Sequence, residues 1–162
     1  MNTQEITLTW QDGVQAIDEL VSAELDKQEY PPQALANAVY ALNENLQLRD
    51  YFLGLAKCDD LEVMTAVAVN VINQVDNEMD KVPFYTCLSA FYYELSANES
   101  AKEALSFALQ INSNYGLAKL LYRVIDAGWS GTEFGAMRKE LHSKVVEGIA
   151  KNSNSLITEG GN

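Results

Sequence analysis

Apolar residues recur every three or four positions over most of the chain, the spacing that places them on one face of an α-helix. Trp10, Val14, Ile17, Val21 and Leu25 form the first stripe, with Asp18, Glu19, Glu24 and Asp26 off it. Thr9 is placed to cap this helix, with Asp12 at its positive end. Tyr30-Pro31-Pro32 stops it and starts a second helix carrying Leu35, Ala38, Val39 and Leu42. A third, around Leu48 to Ala56, shows Leu48, Phe52 and Leu55; Cys58-Asp59-Asp60 then reads as a break. The segment from Leu61 to Met79 is ambiguous at first sight, because Val67, Val69 and Val71 alternate as in a strand. Leu61, Met64, Ala68, Val71, Ile72, Val75 and Met79 hold helical spacing for longer, and that length predicts a buried helix with Asn70 and Asn73 on polar neighbours or solvent.

The centre of the chain, Phe84 to Gly128, reads as three short helices joined by tight turns. Pro83 opens the first, in which Tyr85, Leu88, Phe91, Tyr92 and Leu95 share a face. Ser96 or Asn98 is placed to cap the second, which carries Ala101, Ala104, Leu105, Ala108, Leu109 and Ile111. The third holds Leu117, Leu120, Leu121, Val124 and Ile125, and Gly128 suits a left-handed stop. Thr132 is placed to cap a last helix through Phe134, Met137, Leu141, Val145 and Ile149. Residues 1–8 are expected to form a flexible lead and residues 151–162 a disordered tail, since neither offers a packing face. The expected fold is therefore all-α: one domain over residues 9–150, a bundle of about seven or eight antiparallel helices.

Two resemblances follow from particular residues. Tyr85, Leu88, Ser89, Tyr92, Ala101, Leu105 and Ala108 fall at the spacing of a tetratricopeptide hairpin, with Ser113 where proline is usual. Moving on by about 34 residues gives no second match, so a single hairpin of that style is expected and not a repeat array. The stretch from Pro32 to Phe134 is similar to the helical C-terminal part of the domain of unknown function 4192 family, which is mainly actinobacterial. Leu46-Gln47-Leu48-Arg49-Asp50, Leu88-Ser89-Ala90-Phe91, Ala108-Leu109, Asn114-Tyr115-Gly116-Leu117-Ala118-Lys119-Leu120-Leu121 and Asp126-Ala127-Gly128 carry that resemblance. Ser96-Ala97-Asn98 stands where the family has a Gly-Asp turn, and Ser113-Asn114 where it has Asp-Pro. The resemblance implies a helical fold and supplies no activity, since none is established for the family.

Charge changes the functional picture more than composition does. Residues 1–80 hold 15 acids and 3 bases, whereas residues 81–162 hold 8 of each, so the net −12 lies entirely in the first half. Phosphates require cations, so direct nucleic-acid binding and anionic membrane surfaces are disfavoured. No signal peptide is visible and no run reaches the ~20 apolar residues of a membrane span, which points to the cytoplasm. Cys58 and Cys87 lie far apart, match no CxxC or zinc spacing and are expected as buried apolar residues.

No motif carries recognisable catalysis, and no enzyme activity, cofactor or metal is expected. His142, the only histidine, lies between Lys139 and Lys144 and is expected to be solvated. Asp59-Asp60 is expected to cap a helix and not to bind a cation. Asp76, Glu78 and Asp80 alternate loosely like a calcium loop but lack its glycine and closing glutamate. The remaining candidate chemistry is recognition. Tyr85, Tyr92, Tyr93 and Tyr115, with Asp76, Glu78 and Asp80, are the candidate partner-binding residues: most aromatics belong in the core, and the alternative is a groove that accepts a peptide. The expected function is a non-enzymatic interaction module whose protein partner is basic. The alternative is an acidic inhibitor of phage or plasmid type that mimics DNA charge. A homodimer is left open; an exposed apolar stripe would suggest one.

Overall fold

The computed structural model describes residues 7–55 and 61–159. Cys58, Asp59 and Asp60, with the expectations attached to them, lie outside the described residues. Eight α-helices follow in order: α1 (Trp10–Leu25), α2 (Pro32–Glu44), α3 (Leu46–Gly54), α4 (Leu61–Gln74), α5 (Val82–Glu94), α6 (Asn98–Ile111), α7 (Gly116–Asp126) and α8 (Gly131–Lys151), with one turn of 3-10 helix at Glu78–Lys81 before α5. The chain is all-helical, and no strand occurs among the described residues. Among the described residues no helix is long and apolar enough to cross a membrane.

α5 is the centre of the fold. It is apolar on every side, and such a helix is stable only when surrounded. It packs against α4, α6, α8, α3 and α7, most extensively against α6. Ala90, Ala101 and Ala108 are fully buried where α5 and α6 meet, so the absence of larger side chains there lets the backbones approach. Two polar residues of α5 are buried with partners: Thr86 donates to Val82 O at 2.8 Å and Ser89 to Ala101 O at 2.7 Å. On the other side, the Phe52 ring meets Phe84 and Phe91 edge-on, with centroids 5.7 and 5.9 Å apart. The main core gathers these rings with α1, α2 and α4.

Several local expectations change. α1 has the capping box of Thr9 and Asp12, but its buried face is Trp10, Gly13, Ala16, Ile17, Leu20 and Ala23. Val14 and Val21 flank that face, and Leu25 is 60 % exposed. The small residues decide the rotation: a Cβ on Gly13 would lie 2.7 Å from Leu48 and 3.3 Å from Ala41. α4 ends at Gln74, so Met79 is exposed on the 3-10 turn, where Asn77 caps with its side chain. The α5–α6 turn has no side-chain cap; Ser96 instead adopts φ 62° and closes α5, its N–H donating to Tyr93 O and that of Ala97 to Tyr92 O. α8 is capped by Ser130 with Glu133, two residues earlier than Thr132.

The largest difference is at the end of the chain. Residues 152–159 pack, although they carry no periodic stripe. Thr9 and Leu156 form an antiparallel bridge, and Ile157 N–H donates to Leu8 O at 2.9 Å. The Trp10 indole N–H donates to Leu156 O and Glu159 O, at 3.0 and 2.9 Å. Ile157 is 2 % exposed in a small core with Trp10, Ala41, Leu48 and Ile149. One isoleucine, pinned by backbone bonds, does here what a helical stripe does elsewhere.

Candidate partner-binding surface

Tyr85 and Tyr92 sit seven residues apart on α5 and face α6 with Leu88 between them. Together with Ser100, Glu103, Ala104 and Phe107 they line a groove of about 170 Å³. That is below the size range of small-molecule and cofactor sites and suits a single anchoring side chain. The Phe107 ring stacks on Tyr85, centroids 5.4 Å apart at 29°, and stays 43 % exposed. Nothing in the expected pattern named Phe107. Its signal was its place off the Ala101, Ala104, Leu105 and Ala108 stripe, where a large aromatic has no core to enter.

The acidic turn leads into α5 just ahead of Tyr85. Lys81 reaches Glu78 at 2.6 Å, which holds its ammonium above the usual lysine range, with smaller contributions from Tyr85 and Asp76. Asp76 and Glu78 are exposed, while Asp80 is half-buried and its carbonyl accepts from Asn43. Tyr85 and Tyr92 thus line one groove, whereas Asp76, Glu78 and Asp80 lie outside its lining, on the segment that leads into α5. The structure removes two other candidates. Tyr93 is buried edge-on against Phe134, under α8. Tyr115 is taken up by Arg49, whose Cζ lies 5.7 Å from the ring centroid and whose Nη1 donates to its hydroxyl at 3.4 Å.

Arg49 itself was not foreseen as buried. Burial opposes its charge, but Tyr115 and Asp50 outweigh that cost, and its pKa stays above the ordinary value. Its Nη2 donates to Asp50 at 2.8 Å, so the group is neutral as a whole and ties α3 to the start of α7. Nearby Cys87 is buried, and burial pushes its thiol up to about 12, which leaves almost no nucleophilic thiolate near neutral pH. His142 is half-buried, not solvated: it lies 5.8 Å from the Tyr51 ring and fills the space that a side chain on Gly54 would need. No group of three potential metal ligands comes together among the described residues.

A second surface is purely acidic. Asp18, Glu19, Asp26 and Glu29 line a shallow groove along α1 and the turn to α2, with no cation among its walls. Asp18 accepts a hydrogen bond from the Tyr51 hydroxyl at 2.7 Å; partial burial raises its pKa, and that bond only partly offsets the rise. Folding therefore disfavours the Asp18 charge. The stabilising contribution of its protonated form is full below the ordinary carboxylate pKa and is lost as pH rises through the elevated value. Asp18→Asn keeps the acceptor and removes the charge. Thermal melts should show a rise of at most about a degree or two near pH 7, closing towards pH 4.

No protein-family model, curated protein or solved structure matches the chain. Function therefore rests on these surfaces alone.

Proposed function

We propose that this chain is a non-enzymatic helical interaction module of the cytoplasm that holds a basic segment of a protein partner at the α5–α6 face. The observation that supports this reading is the Tyr85–Phe107 stack, with the Phe107 ring exposed, over a groove sized for one side chain, and the turn of Asp76 and Glu78 leading into the same helix. An apolar anchor enters between Tyr85, Tyr92 and Phe107, and lysine or arginine beside it meets the acidic turn. Charge of this kind sets association rate and partner choice more than affinity, so binding should weaken with salt.

A peptide-display selection on the immobilised chain tests the reading. Selected sequences should pair a large apolar residue with basic neighbours. Phe107→Ala and Glu78→Lys should each weaken them roughly tenfold or more, the size of one lost anchor. Peptides indifferent to both changes would remove the groove from consideration.

The cation-free groove on α1 favours the second reading, an inhibitor that presents carboxylates in place of phosphates. Under that reading a DNA-binding partner is held at low salt, is displaced by DNA, and is lost on Glu19→Lys or Asp26→Lys while Phe107→Ala changes nothing.

A further inference from the structure

α6 has two working sides. Ser100, Glu103, Ala104 and Phe107 face the groove just described, whereas Lys102, Leu105, Ser106, Leu109 and Gln110 face α7. Between α6 and α7 lies the larger groove, about 660 Å³, completed by Tyr122, Ile125 and Asp126. Its floor is apolar, and Tyr122 stands 58 % exposed on its wall. A monomer gains nothing by leaving such a strip to water.

Charge says what covers it. The first half of the chain holds the whole net charge of −12, so two copies repel each other wherever those residues would meet. The second half is neutral, and this groove carries one cation and one anion. Lys102 lies near the start of α6 and Asp126 ends α7, so the short turn at Asn112–Tyr115 leaves both at the groove's far end. Both are exposed, and neither forms an ion pair or side-chain hydrogen bond with the described residues. A two-fold axis along the groove sets α6 of one copy over α7 of the other. It places Lys102 opposite Asp126 of the second copy, and Asp126 opposite its Lys102, the reciprocity that an isologous contact demands.

We infer that the α6–α7 groove is closed by the same groove of a second copy, forming a two-fold homodimer with Tyr122, Leu109 and Ile125 at its centre. This uses the opposite side of α6 from the partner groove and does not depend on that reading.

Sedimentation equilibrium over a range of concentrations tests it, with far-UV circular dichroism to confirm that each variant is folded. The parent chain should reach twice its 17.9 kDa mass. Lys102→Glu alone and Asp126→Lys alone should each weaken the dimer roughly tenfold or more, because each swap replaces two attractions by two repulsions. Lys102→Glu combined with Asp126→Lys should restore it. A monomer at every concentration overturns the inference, whether or not a small apolar ligand occupies the groove. So does a dimer that neither swap weakens, or a double variant that stays monomeric.

Discussion

Glu94→Ala is expected to destabilise the fold by about 3–5 kcal/mol, the usual cost of leaving a buried charge without its partner. The Glu94 and Arg138 side chains are 6 % and 2 % exposed, and they meet in a two-pronged pair: Nε to Oε2 at 2.7 Å and Nη2 to Oε1 at 2.9 Å. The remaining Nη1 donates to Gly54 O at 3.3 Å, a carbonyl at the open end of α3. One guanidinium thus holds α8 against the last turns of both α3 and α5. Gly135 makes room for it, since a Cβ there would meet the Glu94 carboxylate. With alanine at position 94 the guanidinium keeps only backbone carbonyls, which cannot neutralise it. Urea unfolding followed by circular dichroism gives the loss directly. Glu94→Gln, which preserves an acceptor, should fall between. Glu94→Leu with Arg138→Met should recover most of the stability, because apolar residues of similar volume often replace a buried pair without loss. A loss below about 1 kcal/mol for Glu94→Ala, in the range of exposed pairs, would show that water reaches the site.

Deleting residues 152–162 should remove a comparable amount, about 3–5 kcal/mol. Ile157 alone accounts for about 2–3 kcal/mol of apolar burial. Its carbonyl also accepts from Asn45 Nδ2 at 2.8 Å, so the deletion leaves a buried amide short of a partner. Trp10 loses both of its acceptors and its cover. Its fluorescence should shift to longer wavelength, measured in a Trp129→Phe background because Trp129 is already 44 % exposed. An unchanged spectrum and an unchanged urea midpoint would show that the tail is loose in solution.

The helices were legible because each carries its own evidence. Stripes such as Leu61, Met64, Ala68 and Val71 need no knowledge of what they touch. Which side of a stripe turns inward depends on the neighbour: Gly13 looks ordinary in a sequence, yet it fixes the rotation of α1 by letting Leu48 and Ala41 come close. Long-range polar pairs were not legible at all. Arg138 and Glu94 are 44 residues apart, and nothing local distinguishes them from solvated charges. The tail escaped for the same reason, since a single isoleucine has no periodicity. At the candidate surface, Tyr85 and Tyr92 could be read from their seven-residue spacing. Phe107 could not be paired with them until α6 was in place, and Tyr93 and Tyr115 left the surface once Phe134 and Arg49 were seen beside them.

The clasp on Trp10 also has a consequence in time. The indole lies 146 residues ahead of its acceptor at Leu156. A ribosome adding about 5–20 residues per second needs roughly 7–30 s to travel that distance. Throughout that interval the indole of the first helix lacks both of its acceptors and the cover of Ile157, so the last residues to be made complete a contact that one of the first helices has held open.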